Sequence, residues 1–170
     1  MAGGRYIVRV CSAMHYIPRR KIRLNGQSAQ MFSKILVGVD GSECARRAFD
    51  AAVGMAKESN AKLLVLCVVQ PPMVIGQRKE IAARFVSILE REAKLILADY
   101  AAEAGKKGIK AETLLAKGYP AKIILYTARA EKADLIAVGS RGLGGMKGML
   151  LGSVSSAVVQ NSKVPVLVAK

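Results

Sequence analysis

KILVGVDGS, residues 34–42, is a short apolar run rich in β-branched residues that stops at Asp40-Gly41-Ser42. A run of this length closed by turn residues reads as a buried strand, and Ser42 supplies an N-cap for a helix behind it. Residues 43–59 carry Ala45, Ala48, Phe49, Ala52, Val53 and Ala56 at i, i+3, i+4 spacing, so a helix with one small apolar face is expected to lie against a sheet. The unit of strand, turn and helix then recurs. Residues 61–69 (AKLLVLCVV) read as a second buried strand, and Pro71-Pro72 breaks the pattern after it. A long helix is expected from Arg78 to Ala104, with Ile81, Phe85, Ile88, Leu89, Ile96 and Tyr100 along one stripe. Glu80/Arg84, Glu90/Lys94 and Glu103/Lys107 are acid-before-base pairs at i, i+4 on its wet side.

Residues 109–116 make a third strand, and Lys110, Glu112 and Lys117 mark it as polar enough for a sheet edge. Pro120 opens a helix that runs to Glu131, residues 133–138 (ADLIAV) are a fourth strand, residues 139–151 a glycine-rich loop, and a further helix starts at Ser153. The apolar stretch from Val164 to Ala169 is the fifth strand. Strict alternation of strands and helices predicts an α/β fold: a five-stranded parallel sheet with helices on both faces and right-handed crossovers, Rossmann-like in kind. If strands one to three grow outward and the fourth returns beside the first, the order is 3-2-1-4-5. Ligands of such sheets bind beyond the carboxyl ends of the strands where the order reverses, here between strands one and four.

Composition agrees with a single globular domain. The chain has 170 residues, 52% hydrophobic and 23% charged, which excludes a disordered protein. No apolar run approaches the roughly 20 residues of a membrane span. Cys11, Cys44 and Cys67 are widely spaced and odd in number, so neither a disulfide framework nor a zinc knuckle is expected, and a reducing cytoplasm is the simpler setting. The net charge of +15 raises nucleic-acid binding as a function class. Of the 27 Lys and Arg, six precede Met31, so 21 face 12 Asp and Glu from there on, a net +9. Residues 1–30 are acid-free and without sustained periodicity, and are expected to be a disordered leader on a domain of residues 31–170. Such a leader fits a targeting segment, a nucleic-acid arm, expression-derived residues or a misassigned start codon, the last two being favoured.

The loops that leave the switch-point strands carry the most unusual sequence: Asp40-Gly41-Ser42, and residues 139–148, GSRGLGGMKG. Glycines let successive N–H groups converge on an anion, and the helix behind Gly152-Ser153 adds unpaired N–H groups of its own. Ser153, Ser155 and Ser156 add hydroxyls, and Arg141 and Lys147 add charge. Together they suit a phosphate cradle, although glycines alone mean a plain loop and Ser153 alone an N-cap. Asp40 also has a bland role as a helix-start acid, favourable by about 0.3 to 1 kcal/mol. No P-loop motif occurs, and Lys147 stands where a GxGxxG pattern needs its third glycine.

What the spacing Gly139-x2-Gly142-x9-Gly152-Ser153 resembles is the nucleotide-binding signature of the universal stress protein family. MFSKILVGVDGSE, ADLIAVGSRG and LLGSVSSAVVQNSKVPVLV are similar to that family in motif and order, so the likeness covers residues 31–170. It implies an adenine nucleotide alpha hydrolase-like fold, ATP as ligand, often with Mg²⁺ or Mn²⁺ on its phosphates, and a homodimer. Carried over, it places Asp40 by the ribose and adenine, Val68 beside the adenine, and Val138, Gly139, Arg141, Gly142, Gly152, Ser153, Val154 and Ser155 on the ribose and phosphates. Val68 without the resemblance is an ordinary core residue.

His15, the only histidine, lies in the leader, so a Ser-His-Asp triad, a Cys-His pair and a histidine-rich metal site are unavailable within the domain. VDGSE also lacks the SGG-type pyrophosphate loop of related AMP-forming ligases. Efficient catalysis is not expected; slow ATP hydrolysis or autophosphorylation is the most the resemblance allows. The leading expectation is an ATP-binding regulatory protein. The alternative is a basic nucleic-acid-associated module or a nucleotide-independent dimeric scaffold. Against nucleic acid stand the scarce aromatics, with Phe 3, Tyr 5 and Trp 0. The last strand, with little charge and at a sheet edge, is expected to pair antiparallel with its copy in a two-fold dimer, Pro165 falling near its beginning.

Overall fold

The central strands of the sheet send alternate side chains into two apolar layers. Ile35, Val37 and Val39 face one layer and Leu36 the other, and Leu63, Val65 and Cys67 against Leu64 and Leu66 repeat the division one strand along. Burial on both faces is what turns these strands into near-continuous apolar runs and what a parallel sheet requires. The computed structural model describes residues 6–10, 13–14, 32–72, 79–144 and 150–170. Its parallel strands are β3 (Lys34–Val39), β4 (Lys62–Val69), β5 (Ala111–Lys117), β6 (Leu135–Gly139) and β7 (Val166–Ala169). They alternate with α1 (Glu43–Ser59), α2 (Lys79–Lys106), α3 (Pro120–Ala130) and α4 (Ser153–Asn161). The order β5-β4-β3-β6-β7 is the expected 3-2-1-4-5, with the switch point between β3 and β6. Helices α1 and α2 cover one face, α3 and α4 the other. Among the described residues no helix is long and apolar enough to cross a membrane.

Two expectations are corrected. The six residues that mark one apolar stripe of α2 are not covered alike: Ile81, Phe85 and Ile88 are 68%, 48% and 56% exposed, and the buried residues of the helix are Ala93, Leu97, Tyr100 and Ala104. Length explains it: 28 residues of helix span about 42 Å, while the seven or eight residues of β5 and β4 span roughly 25 Å, so the first turns of α2 overhang the sheet. Glu90 also reaches Lys117 on β5 instead of Lys94, whereas Glu103 and Lys107 do pair, at 3.2 Å.

The second correction concerns the leader. Tyr6–Val10 forms a strand, β1, antiparallel to β7, with Tyr6 opposite Ala169, Ile7 opposite Val168, Val8 opposite Leu167 and Arg9 opposite Val166. A two-residue strand, β2 (Ala13–Met14), pairs with β1 in turn. Without β1 the outer edge of β7 would leave its N–H and C=O groups unpaired, and YIVRV has the β-branched and aromatic composition of a strand that meets them. The remaining leader residues, His15 among them, lie outside the described residues.

Candidate functional site

The site is built where β3 and β6 end side by side. Asp40 follows β3 directly. Its Oδ1 accepts the Ser42 N–H at 2.9 Å, which folds the turn into α1, and its Oδ2 accepts the Leu143 N–H at 3.2 Å from the other switch-point loop. Ser42 caps α1, its Oγ accepting the Ala45 N–H at 3.2 Å, and the same hydroxyl donates to the Arg141 carbonyl at 3.3 Å. One carboxylate and one hydroxyl therefore tie the two loops together.

Beyond β6, the buried Ser140 donates its N–H to the Ala169 carbonyl at 2.6 Å. Its own carbonyl accepts the Gly152 N–H and the Ser155 hydroxyl, each at 2.7 Å. The chain thus leaves the sheet at Ser140, returns to the same residue at Gly152, and enters α4. Gly152 is the N-cap of that helix and offers no side chain, so no side-chain hydrogen bond caps the first N–H groups of α4. A helix start left in this condition attracts an anion through its N–H groups and its dipole.

The glycines here answer to close approach. A Cβ on Gly139 would lie 2.7 Å from the Ala45 nitrogen and the Cys44 carbonyl carbon, so β6 packs against the first turn of α1 only without a side chain. A Cβ on Gly142 would run into the Asp40 Oδ2. Gly152 differs: a Cβ there meets the Ser140 oxygen at 3.5 Å, an ordinary contact.

Of the residues singled out in the sequence, Asp40, Gly139, Arg141, Gly142, Gly152, Ser153 and Val154 collect around these loops. Val138 is the penultimate residue of β6 and is buried in the α3/α4 layer. Val68, half-buried, packs on that same layer, and the pairing of Val39 with Cys67 sets it level with Asp40 on the neighbouring strand. Ser155 turns inward, 2% exposed, with its hydroxyl engaged by Ser140. Lys147 lies outside the described residues, as do Gly145 and Gly148.

The sequence reading overlooked Cys44, the second residue of α1. It is buried under the loop, with the Ser140 hydroxyl 3.6 Å and an Arg47 guanidinium nitrogen 3.5 Å from its sulfur. Burial works to raise its thiol, but the hydrogen bonds from Ser140, Arg47 and the Arg141 backbone, with the Arg47 charge, bring it below its ordinary value. Its place just inside a helix N-terminus was the only available signal.

Cys67 behaves oppositely. Burial first, and the Asp40 carboxylate second, push its thiol up to about 11. The group is neutral in both folded and unfolded chains below pH 9, and above that the unfolded chain releases its proton first. Stability linked to Cys67 is therefore present below pH 9 and lost as pH rises toward 11, by about 2 kcal/mol. Urea unfolding at pH 8 and pH 11 should show a shallower alkaline loss for Cys67→Val than for the parent. Equal losses would contradict the buried-thiol account.

A profile of the universal stress protein family matches residues 31–170. The chain is 40% identical over 148 residues to the universal stress protein YxiE of Bacillus subtilis (strain 168), covering 82% of this chain and 100% of that protein. Among solved structures it is similar to the universal stress protein UspA from Lactobacillus plantarum, with a TM-score of 0.76 and 26% identity, covering 81% of this chain and 97% of that one. A universal stress protein solved in complex with cAMP is 33% identical with a TM-score of 0.57, covering 81% and 95%.

Proposed function

The chain belongs to the universal stress protein family, and from that premise we propose that it binds ATP at the β3–β6 switch point and acts as a nucleotide-dependent regulatory protein of the cytoplasm. The observation that carries the reading is the convergence of a carboxylate, an exposed loop glycine and an uncapped helix start: Asp40, Gly142 and the N-terminus of α4. The relative solved with cAMP supports an adenine nucleotide as the ligand class. In this reading Asp40 meets the ribose and adenine, Val68 lies beside the base, and Val138, Gly139, Arg141, Gly142, Gly152, Ser153, Val154 and Ser155 frame the ribose and phosphates. Ser155 acts through the Ser140 carbonyl that it holds.

The donor set fits a triphosphate, since backbone N–H groups and Arg141 face no carboxylate other than Asp40 among the residues of these loops. Among the described residues no group of three or more His, Cys, Asp or Glu could hold a metal. Mg²⁺ or Mn²⁺ would therefore come with the phosphates, where such an ion neutralises their charge. Bound nucleotide regulates only if it favours one conformation or assembly over another, and the second loop, held to Asp40 through Leu143, is the element placed to differ. A homodimer through β7 belongs to the same proposal; with β1 on that edge, the dimer requires β1 to leave.

Mass spectrometry of ligand released from freshly purified protein, followed by calorimetric titration with ATP, AMP and cAMP, tests the reading. ATP as the released or tightest ligand is the expected result. No binding of any of the three at millimolar concentration would favour the nucleotide-independent scaffold.

A further inference from the structure

We propose that the outer face of α3 binds single-stranded nucleic acid, separately from the nucleotide site. Charge is divided unequally between the two faces of the sheet. In α1 three acids balance three bases, and in α2 five balance five; α3 has Lys122 and Arg129 and no acid, and α4 is uncharged. After Asp134 the sequence contains no further Asp or Glu. Of the acids on this side of the sheet, Glu131 pairs with Lys34 at 3.2 Å, Asp134 accepts the Ser33 and Lys34 N–H groups at 2.7 and 3.2 Å, and Glu112 stands on the edge strand β5 opposite Leu64. Among the described residues no carboxylate forms an ion pair with Lys122, Arg129 or Lys132.

The aromatics of this face are interleaved with those cations. Tyr119, Lys122, Tyr126 and Arg129 follow one another at helical spacings of three and four, a single stripe about 15 Å long, opposite the buried Ile124 and Ala128. Tyr119 is 55% and Tyr126 70% exposed, and the Lys122 ammonium stands 5.5 Å from the centre of the Tyr119 ring. Exposed rings between cations that form no ion pair suit a chain that presents unstacked bases and phosphates together, and a duplex hides its base faces from such a stripe. Scarcity of aromatics argues against nucleic acid in the sequence, but two of the five tyrosines stand along α3, a helix without an acid.

Fluorescence anisotropy with a short fluorescein-labelled oligouridylate tests the proposal on the full chain. Changing Lys122→Gln together with Arg129→Gln should flatten the slope of log affinity against log salt by about 1.4, and Tyr126→Ala should weaken binding by about fivefold or more. The chain has no tryptophan, so Tyr126→Trp installs a single reporter whose emission should be quenched as bases stack on it. All these positions are exposed, and thermal melting checks that each variant remains folded. Parent-like affinity and salt slope in the variants, or an unquenched Tyr126→Trp reporter, overturns the proposal. So does binding to phosphatidylserine vesicles that excess oligouridylate fails to displace.

Discussion

At the proposed ATP site, Gly142→Val is expected to lower ATP affinity by about 30-fold or more, on the order of 2 kcal/mol, while the melting temperature stays within a few degrees of the parent. The new side chain would occupy the place of the Asp40 Oδ2, pushing the carboxylate off the Leu143 N–H and filling the backbone approach. Gly142 is exposed and not held at positive φ, so neither core packing nor backbone strain should unfold the variant. Gly139→Ala gives the contrasting result. Its Cβ meets main-chain atoms of α1 that cannot rotate away, so stability itself falls, by about 3 kcal/mol. Calorimetric titration and thermal melting on both variants separate the effects. Unchanged ATP affinity in folded Gly142→Val would place the phosphates elsewhere.

If the proposed dimer forms through β7, trimming the chain to start at Met31 is expected to produce the other large effect, tighter association. In the full chain β1 occupies the outer edge of β7, and two chains can join there only when both edges are free. If β1 is docked nine-tenths of the time, freeing both edges strengthens association about 100-fold. Sedimentation equilibrium on the two forms measures the difference, and equal dissociation constants would show that β7 is not the interface. Charge substitution in β7 is a poorer probe, because Val166 and Leu167 are only 2% and 3% exposed and a charge there would disrupt the core.

Most of the fold could be read directly because its signals are local. The β3 bounds were read to the residue, and Pro120 at the start of α3 and Ser42 at the start of α1 did what their chemistry predicts. The last strand starts two residues later than its apolar run, at Val166, since Pro165 has no N–H to give the ladder. What escaped is non-local. Whether Ile81 and Phe85 are covered depends on where the sheet ends, which the helical period of α2 does not contain. The pairing of Tyr6–Val10 depends on an edge more than 150 residues away in sequence. The candidate residues Asp40, Gly139 and Gly142 fall together at the ends of β3 and β6, but the hydrogen bonds around them were not legible. The Leu143 N–H is a backbone donor without a sequence signature, and the inward turn of Ser155 follows from the free carbonyl of Ser140.

The double closure at the Ser140 carbonyl has a use in protein engineering. Gly152 and Ser155 fasten the chain to the Ser140 carbonyl, so residues 140 and 152 are held together whatever the chain between them carries. Lengthening a connection whose two ends are already held costs only about 0.6 kcal/mol for each doubling of length. A fluorescent reporter peptide spliced between Gly144 and Leu150 would then be tolerated by the sheet, and it would sit on the segment tethered to Asp40. The same scaffold could serve as an optical sensor whose signal follows the tether.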